Sequence, residues 1–134
     1  MLKDRISKTK NFQLLLRRFM QSVNQIFPLL LQPHDVVITT HQKPDGDAMG
    51  SSLGLYNFLI QFGHEVTVIS PTNWAGWVNW MPGAKEVMDY EMDKQKAEKV
   101  LDDAEWLFCL DFNIFYRTKI NINWFMISMY FQVK

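Results

Sequence analysis

The sequence has a single cysteine, no excess of either charge and no long apolar run, and each absence excludes a class of protein. Cys109 alone cannot build a disulfide framework, which favours a reducing compartment, and we expect a cytoplasmic protein. The 14 basic and 14 acidic residues cancel, so no global positive field favours nucleic acid or a membrane surface. No apolar stretch approaches the roughly 20 residues that cross a bilayer, and the N-terminus lacks a signal-peptide h-region. We therefore expect no membrane partner.

What is present is enough apolar sequence for a folded core. The chain has 134 residues, of which 48% are hydrophobic, as in one globular domain. Residues 1–34 are predicted to be an N-terminal amphipathic helix and linker, because apolar residues recur at helical spacing until Pro28. Its basic residues favour a solvated face over the alternatives, a transit peptide or a membrane-surface helix.

From Asp35 onward the pattern changes to short apolar runs that alternate with helical ones. Strands are predicted at 36–40, 66–69 and 106–110, and helices at 48–62 and around 93–101. The third strand is apolar at every position, which is typical of a parallel sheet covered on both faces. The sequence therefore predicts an α/β fold, a doubly wound, mostly parallel sheet with helices on both faces.

Chemistry-bearing side chains follow the first and third predicted strands. His41, Asp45 and Asp47 come after the first, and Asp111 comes directly after the third. Ligands of open α/β sheets collect beyond the carboxyl ends of the strands, so these residues can meet there. One imidazole and three carboxylates without thiolate favour Mn²⁺ or Mg²⁺ over Zn²⁺ or Fe²⁺. The alternative is an ordinary Pro-Asp-Gly turn with solvated acids.

The loop between the acids and the helix has its own predicted geometry. Pro44 is expected to hold Lys43 extended, and Gly46 is expected to take a positive φ that lets the loop curl. Three small residues in the first helical turn would expose backbone N–H groups to a phosphate, although close helix packing explains them equally well. These phosphate-binding candidates are Gly50, Ser51 and Ser52.

Two further sets of residues carry weaker signals. Trp74, Trp77 and Trp80 recur at a spacing of three, which favours core packing or contact with a second half of the domain over stacking on nucleobases. Lys43 and Arg117 are possible phosphate contacts, although single basic residues near loops are usually solvated.

The stretch 40–55, THQKPDGDAMGSSLGL, resembles the first motif of the DHH phosphoesterase family. Within that family the chain is most similar to the bifunctional oligoribonuclease and 3′-phosphoadenosine-5′-phosphate phosphatase group. Supporting matches lie at 63–68, 80–83 and 109–113, with Arg117 shortly after. The resemblance covers residues 36–117.

This resemblance implies a pair of Mn²⁺ ions, with Mg²⁺ as the alternative. His41 and Asp45 would bind the first ion, Asp47 the second, and Asp111 would bridge both. Asp47 and Asp111 would act in catalysis through a metal-bound hydroxide that attacks a short oligoribonucleotide or 3′-phosphoadenosine-5′-phosphate. A RecJ-like exonuclease and an inorganic pyrophosphatase share these motifs and remain alternatives within the enzyme class.

The chain also departs from the family. An Asp-His-His motif, a further acidic ligand and a Gly-Gly-Gly-His signature, which complete members have, do not follow Arg117. We therefore expect a partial DHH-type domain at 35–117 and an atypical tail at 118–134, from a frameshift or a truncation. At most one ion would be well liganded, and the chain alone would be inactive. The rival hypothesis is a non-catalytic α/β remnant or interaction module, and an oligomer is possible in either case.

Overall fold

The computed structural model describes residues 27–112, Thr118, Ile120 and residues 129–133. By its contacts the chain divides into two compact units, Met1–Leu31 and Gln32–Lys134. In the first unit the structure describes a 3-10 turn at Phe27–Leu31. Residues 1–26, which hold most of the predicted amphipathic helix, lie outside the described residues, as does Arg117. No helix in the described ranges has the length and apolar character needed to cross a membrane.

The second unit is built on a parallel sheet of five strands. Their order is β3-β2-β1-β4-β5, and every neighbouring pair runs parallel. The strands are β1 (Asp35–Thr39), β2 (Glu65–Ser70), β3 (Met88–Asp89), β4 (Trp106–Leu110) and β5 (Met129–Val133). This sheet confirms the predicted α/β fold, while β3 and β5 are strands that the sequence analysis did not predict.

Within the described ranges two α-helices cover the sheet, α1 at Gly46–Leu59 and α2 at Lys94–Asp103. The face that carries Val37, Ile69 and Leu107 packs with Ala97 and Leu101 of α2. The connection through α1 runs from β1 to β2, and the one through α2 returns to the other side of β1 as β4. Right-handed crossovers in opposite directions place their helices on opposite faces, which explains why every residue of β4 is buried.

Helix α1 is limited by signals at both of its ends. Asp45 caps the N-terminus with its carboxylate. At the other end the helix tightens into a 3-10 turn at Ile60–Phe62, and Gly63 ends it with φ 82°. The prediction placed the start at Ala48, whereas the helix begins two residues earlier at Gly46.

The strand order fixes where a ligand can bind. The chain moves from β1 outward through β2 to β3, then returns to the opposite side of β1 as β4. The strand order therefore reverses between β1 and β4. At such a reversal the two connections leave in opposite directions and open a crevice at the carboxyl ends of the strands. His41 and Asp111 follow the two strands that border this crevice.

Candidate metal centre

Three of the predicted ligands meet at the crevice between β1 and β4. His41 follows β1, Asp45 caps α1 and Asp111 follows β4. Each offers one ligand atom, and the three atoms all lie within 4.8 Å of one another. The structure therefore brings together His41, Asp45 and Asp111, which are separated by up to 70 residues in the sequence.

The hydrogen bond of the His41 ring decides which of its nitrogens can bind a ligand. Nδ1 lies 2.7 Å from the carbonyl oxygen of Gln42, and a carbonyl can only accept, so Nδ1 carries the proton and donates. In the neutral ring the lone pair is then on Nε2, which lies 3.4 Å from Oδ2 of Asp111. Two acceptors that face each other at this distance need a proton or a cation between them. The side chain of His41 is only 11% exposed, which limits screening by water.

Asp111 leaves β4 in an unusual backbone conformation. Its φ is 61°, in the left-handed region, and aspartate tolerates that region better than most residues. Strained backbone of this kind concentrates at functional sites, where the surrounding structure holds it in place. The left-handed turn ends the strand directly at the ligand and leaves the carboxylate about half exposed.

Asp45 is both the helix cap and a candidate ligand. Its Oδ1 accepts from the backbone N–H groups of Asp47 at 3.1 Å and Ala48 at 3.0 Å. The N–H of Ala48 is the main cause that lowers the pKa of Asp45 below its ordinary value; burial acts in the opposite direction, and the N–H of Asp47 lowers the pKa further. Asp45 is therefore ionised at neutral pH, and its second oxygen remains available to a cation.

The loop between β1 and α1 corrects two predictions about its backbone. Lys43 is not extended, because its φ is 51°, and its N–H donates to Oγ1 of Thr72 at 2.8 Å. Gly46 does not take a positive φ; it is the first residue of α1. A tertiary hydrogen bond from the loop after β2 thus overrides the local preference that Pro44 imposes on Lys43.

The structure does not bring the remaining site candidates into the three-ligand group. Asp47 is exposed in the first turn of α1 and stays a predicted ligand of a second ion. Gly50, Ser51 and Ser52 lie in the second turn, one turn later than the predicted phosphate contacts required. Ser51 donates to the carbonyl of Asp47 at 2.8 Å, and Ser52 is buried. The prediction that these three residues bind phosphate assumed exposed backbone N–H groups in the first helical turn, and that assumption does not apply to residues in the second turn.

The tryptophan segment, residues 74–83, places two of its indoles on the surface. Trp77 is 62% exposed and Trp80 is 75% exposed, so neither packs in the core, while the alternative of contact with a second half of the domain stays a prediction. A Cβ built on Gly46 would lie 2.7 Å from Cη2 of Trp77, so the indole lies against the backbone between Asp45 and Asp47. The feature of the sequence that could have indicated this contact is Gly46, because a residue without a side chain permits such a close approach.

Comparison with known proteins agrees with this architecture. Residues 35–124 match the family model "DHH family, N-terminal domain". A crystal structure of an exopolyphosphatase-related protein from Bacteroides fragilis is 31% identical in sequence, with a TM-score of 0.67. The alignment covers 81% of this chain and 37% of that one, so the chain spans well under half of its structural relative. No curated protein matches the chain. Because the family model covers more than half of the sequence, the chain belongs to the DHH family.

Proposed function

We propose that this chain is a metal-dependent phosphoesterase domain. The observation that carries the proposal is the three-ligand group of His41, Asp45 and Asp111 at the reversal of strand order. Membership of the DHH family and the likeness to an exopolyphosphatase-related protein both support hydrolysis of a phosphate bond.

The donor set fits one hard or borderline divalent cation. One imidazole nitrogen and two carboxylates suit Mn²⁺, with Mg²⁺ as the alternative. When bound, such an ion supplies Lewis-acid polarisation of a phosphoryl oxygen. The protein holds each ligand by a separate contact: Gln42 orients the His41 ring, the first turn of α1 fixes Asp45, and the end of β4 places Asp111.

For the substrate we propose a short oligoribonucleotide or 3′-phosphoadenosine-5′-phosphate, as in the subgroup that the motifs resemble. A polyphosphate chain is the second candidate, because the structural relative is described as exopolyphosphatase-related. RecJ-like exonuclease and pyrophosphatase activities use the same metal motifs. We place the protein in the cytoplasm because its one cysteine, Cys109, is buried in the core and needs no oxidising environment.

We also propose that the chain alone holds at most one well-liganded ion and is inactive. The second ion would have Asp47 and a share of Asp111, and Asp47 stays outside the three-ligand group. Hydrolysis by a two-metal mechanism needs both ions to stabilise the attacking and leaving oxygens. Manganese-dependent turnover at ordinary enzyme rates would contradict this part of the proposal.

A manganese titration tests the metal centre directly. We expect about one Mn²⁺ per chain by calorimetry, and at least tenfold weaker binding by His41→Ala, since loss of even an indirect ligand contact costs roughly 10–100-fold in affinity. His34→Gln is the matched control, because His34 precedes β1 at the opposite, amino ends of the strands, where it contacts Glu105. Equal affinities for the wild type and His41→Ala would refute the metal centre and favour the rival hypothesis of a non-catalytic module.

A further inference from the structure

We propose that Trp77 is a stacking platform for the nucleobase of a nucleotide whose phosphate lies at the metal centre. The inference rests on the proposed function and makes it more specific, because it favours a nucleotide over a polyphosphate chain. A polyphosphate has no aromatic group that an indole could recognise.

The position of the Trp77 ring is the first reason. Three atoms of its six-membered ring lie 2.7, 3.5 and 3.7 Å from the point that a Cβ on Gly46 would occupy. Gly46 separates the ligand Asp45 from Asp47, so the indole borders the loop that carries these acids. Glycine at this position allows the ring to rest on the backbone, where any larger residue would push it away.

The second reason is that the backbone of Trp77 is anchored while its side chain is exposed. The residue lies in a 3-10 turn, Gly76–Val78, whose last member Val78 is 1% exposed. Trp74 Nε1 donates to Oδ1 of Asn79 at 3.0 Å across the same turn. The indole is thus presented on a fixed support, which reduces the entropy that a bound base would cost.

The third reason is the chemistry of the exposed face. Trp77 is 62% exposed, and an indole offers a flat π surface on which any nucleobase can stack. Such stacking is sequence-tolerant, and removing it weakens binding by roughly 5- to 150-fold per base. Trp80 is more exposed, at 75%, and the three atoms nearest to a Cβ on Gly46 all belong to Trp77, so Trp80 serves as the matched control.

The test compares two phosphate ligands on the full chain loaded with Mn²⁺. Calorimetry gives the Kd of adenosine 3′,5′-bisphosphate, which has a base, and of tripolyphosphate, which has none. We expect Trp77→Leu to weaken binding of the nucleotide about tenfold and to leave tripolyphosphate within twofold. Trp77→Phe should keep part of the nucleotide affinity, and Trp80→Leu should keep all of it.

A second variant moves the ring without removing it. In Gly46→Ala the methyl group would displace Trp77, and we expect a partial loss of nucleotide affinity with tripolyphosphate binding unchanged. The inference is overturned if Trp77→Leu weakens both ligands equally or if it weakens neither. In each case a normal Mn²⁺ titration would leave the metal centre intact, whereas absent Mn²⁺ binding would overturn the proposed function and this inference with it.

Discussion

Replacing Gly83 by alanine tests how the tryptophan segment is fixed to helix α1. Gly83 has φ 87° and ψ −6°, a left-handed conformation that an alanine rarely adopts. A Cβ at this position would also lie 2.9 Å from Cδ1 and Cε1 of Tyr56 and 3.4 Å from Cδ2 of Leu53. Both neighbours belong to α1, so the substitution acts on the contact between the segment and the helix.

The two costs can be worked out separately. The left-handed backbone costs a residue with a Cβ about 1–2 kcal/mol, and an overpacked contact costs typically about 1–3 kcal/mol. Tyr56 is only partly buried and can move aside, which favours the lower end of the second range. We therefore expect Gly83→Ala to lower the free energy of unfolding by about 2–3 kcal/mol. In a unit of this size that lowers the Tm by roughly 10–20 °C.

Gly54→Ala is the matched control, because the same chemical change has the opposite expected sign. Gly54 lies inside α1, and a Cβ there meets nothing within 4 Å. Alanine should stabilise the helix by about 0.5–1 kcal/mol. Thermal unfolding followed by circular dichroism measures both variants in one buffer. Substitutions at neutral surface positions usually change the free energy of unfolding by less than about 0.5 kcal/mol. A Gly83→Ala variant whose free energy of unfolding differs from the wild type by no more than that would refute the reasoning.

Two further predictions separate the roles of charged groups. Asp45→Asn keeps an oxygen that can cap α1 but loses the charge, so we expect a Tm close to the wild type and at least tenfold weaker Mn²⁺ binding. Asp45→Ala should lose both the cap, with a lower Tm, and the Mn²⁺ affinity. An equal Tm for the two variants would contradict the capping role. The hydrogen bond from His34 is the main cause that lowers the pKa of Glu105 from its ordinary value of 4.5, with the N–H of Asp35 second. A lowered folded pKa means that this stabilisation is complete above the unfolded pKa and is lost as the pH falls through the folded one. Urea unfolding should therefore show that the advantage of the wild type over Glu105→Gln at pH 7 shrinks below pH 4.5, and a difference independent of pH would argue against the pair.

The strands that build the site could be predicted because their apolar runs are short and sharply ended. The predicted third strand, 106–110, coincides with β4, and the first prediction differs from β1 by one residue at each end. Strand β3 has two residues, too few for any periodicity. Strand β5 lies in the segment that was predicted to be an atypical tail. Its pairing with β4 is a long-range contact, which no local sequence pattern predicts.

The candidate ligands could be predicted from strand ends, whereas the backbone between them could not. His41 and Asp111 follow the carboxyl ends of adjacent parallel strands, and this alone brings them together. The rule that a residue before proline is extended failed at Lys43, because the hydrogen bond to Thr72 comes from another loop. The expectation of a positive φ failed at Gly46 for a different reason. Gly46 instead allows the ring of Trp77 to approach the backbone closely. The local sequence does not distinguish a glycine needed for a positive φ from one needed for a close contact.

The charges at the centre explain why a cation and a phosphate can share it. The N-terminus of α1 carries about half a positive charge, which alone would repel a metal ion. The carboxylates of Asp45 and Asp111 together carry two negative charges, which outweigh that dipole and attract a divalent cation. Once the cation neutralises both carboxylates, the positive helix end remains, and the centre attracts phosphate. Binding of a phosphate group should therefore require the metal, and tight binding of tripolyphosphate to the metal-free chain would show that the anion uses a different site.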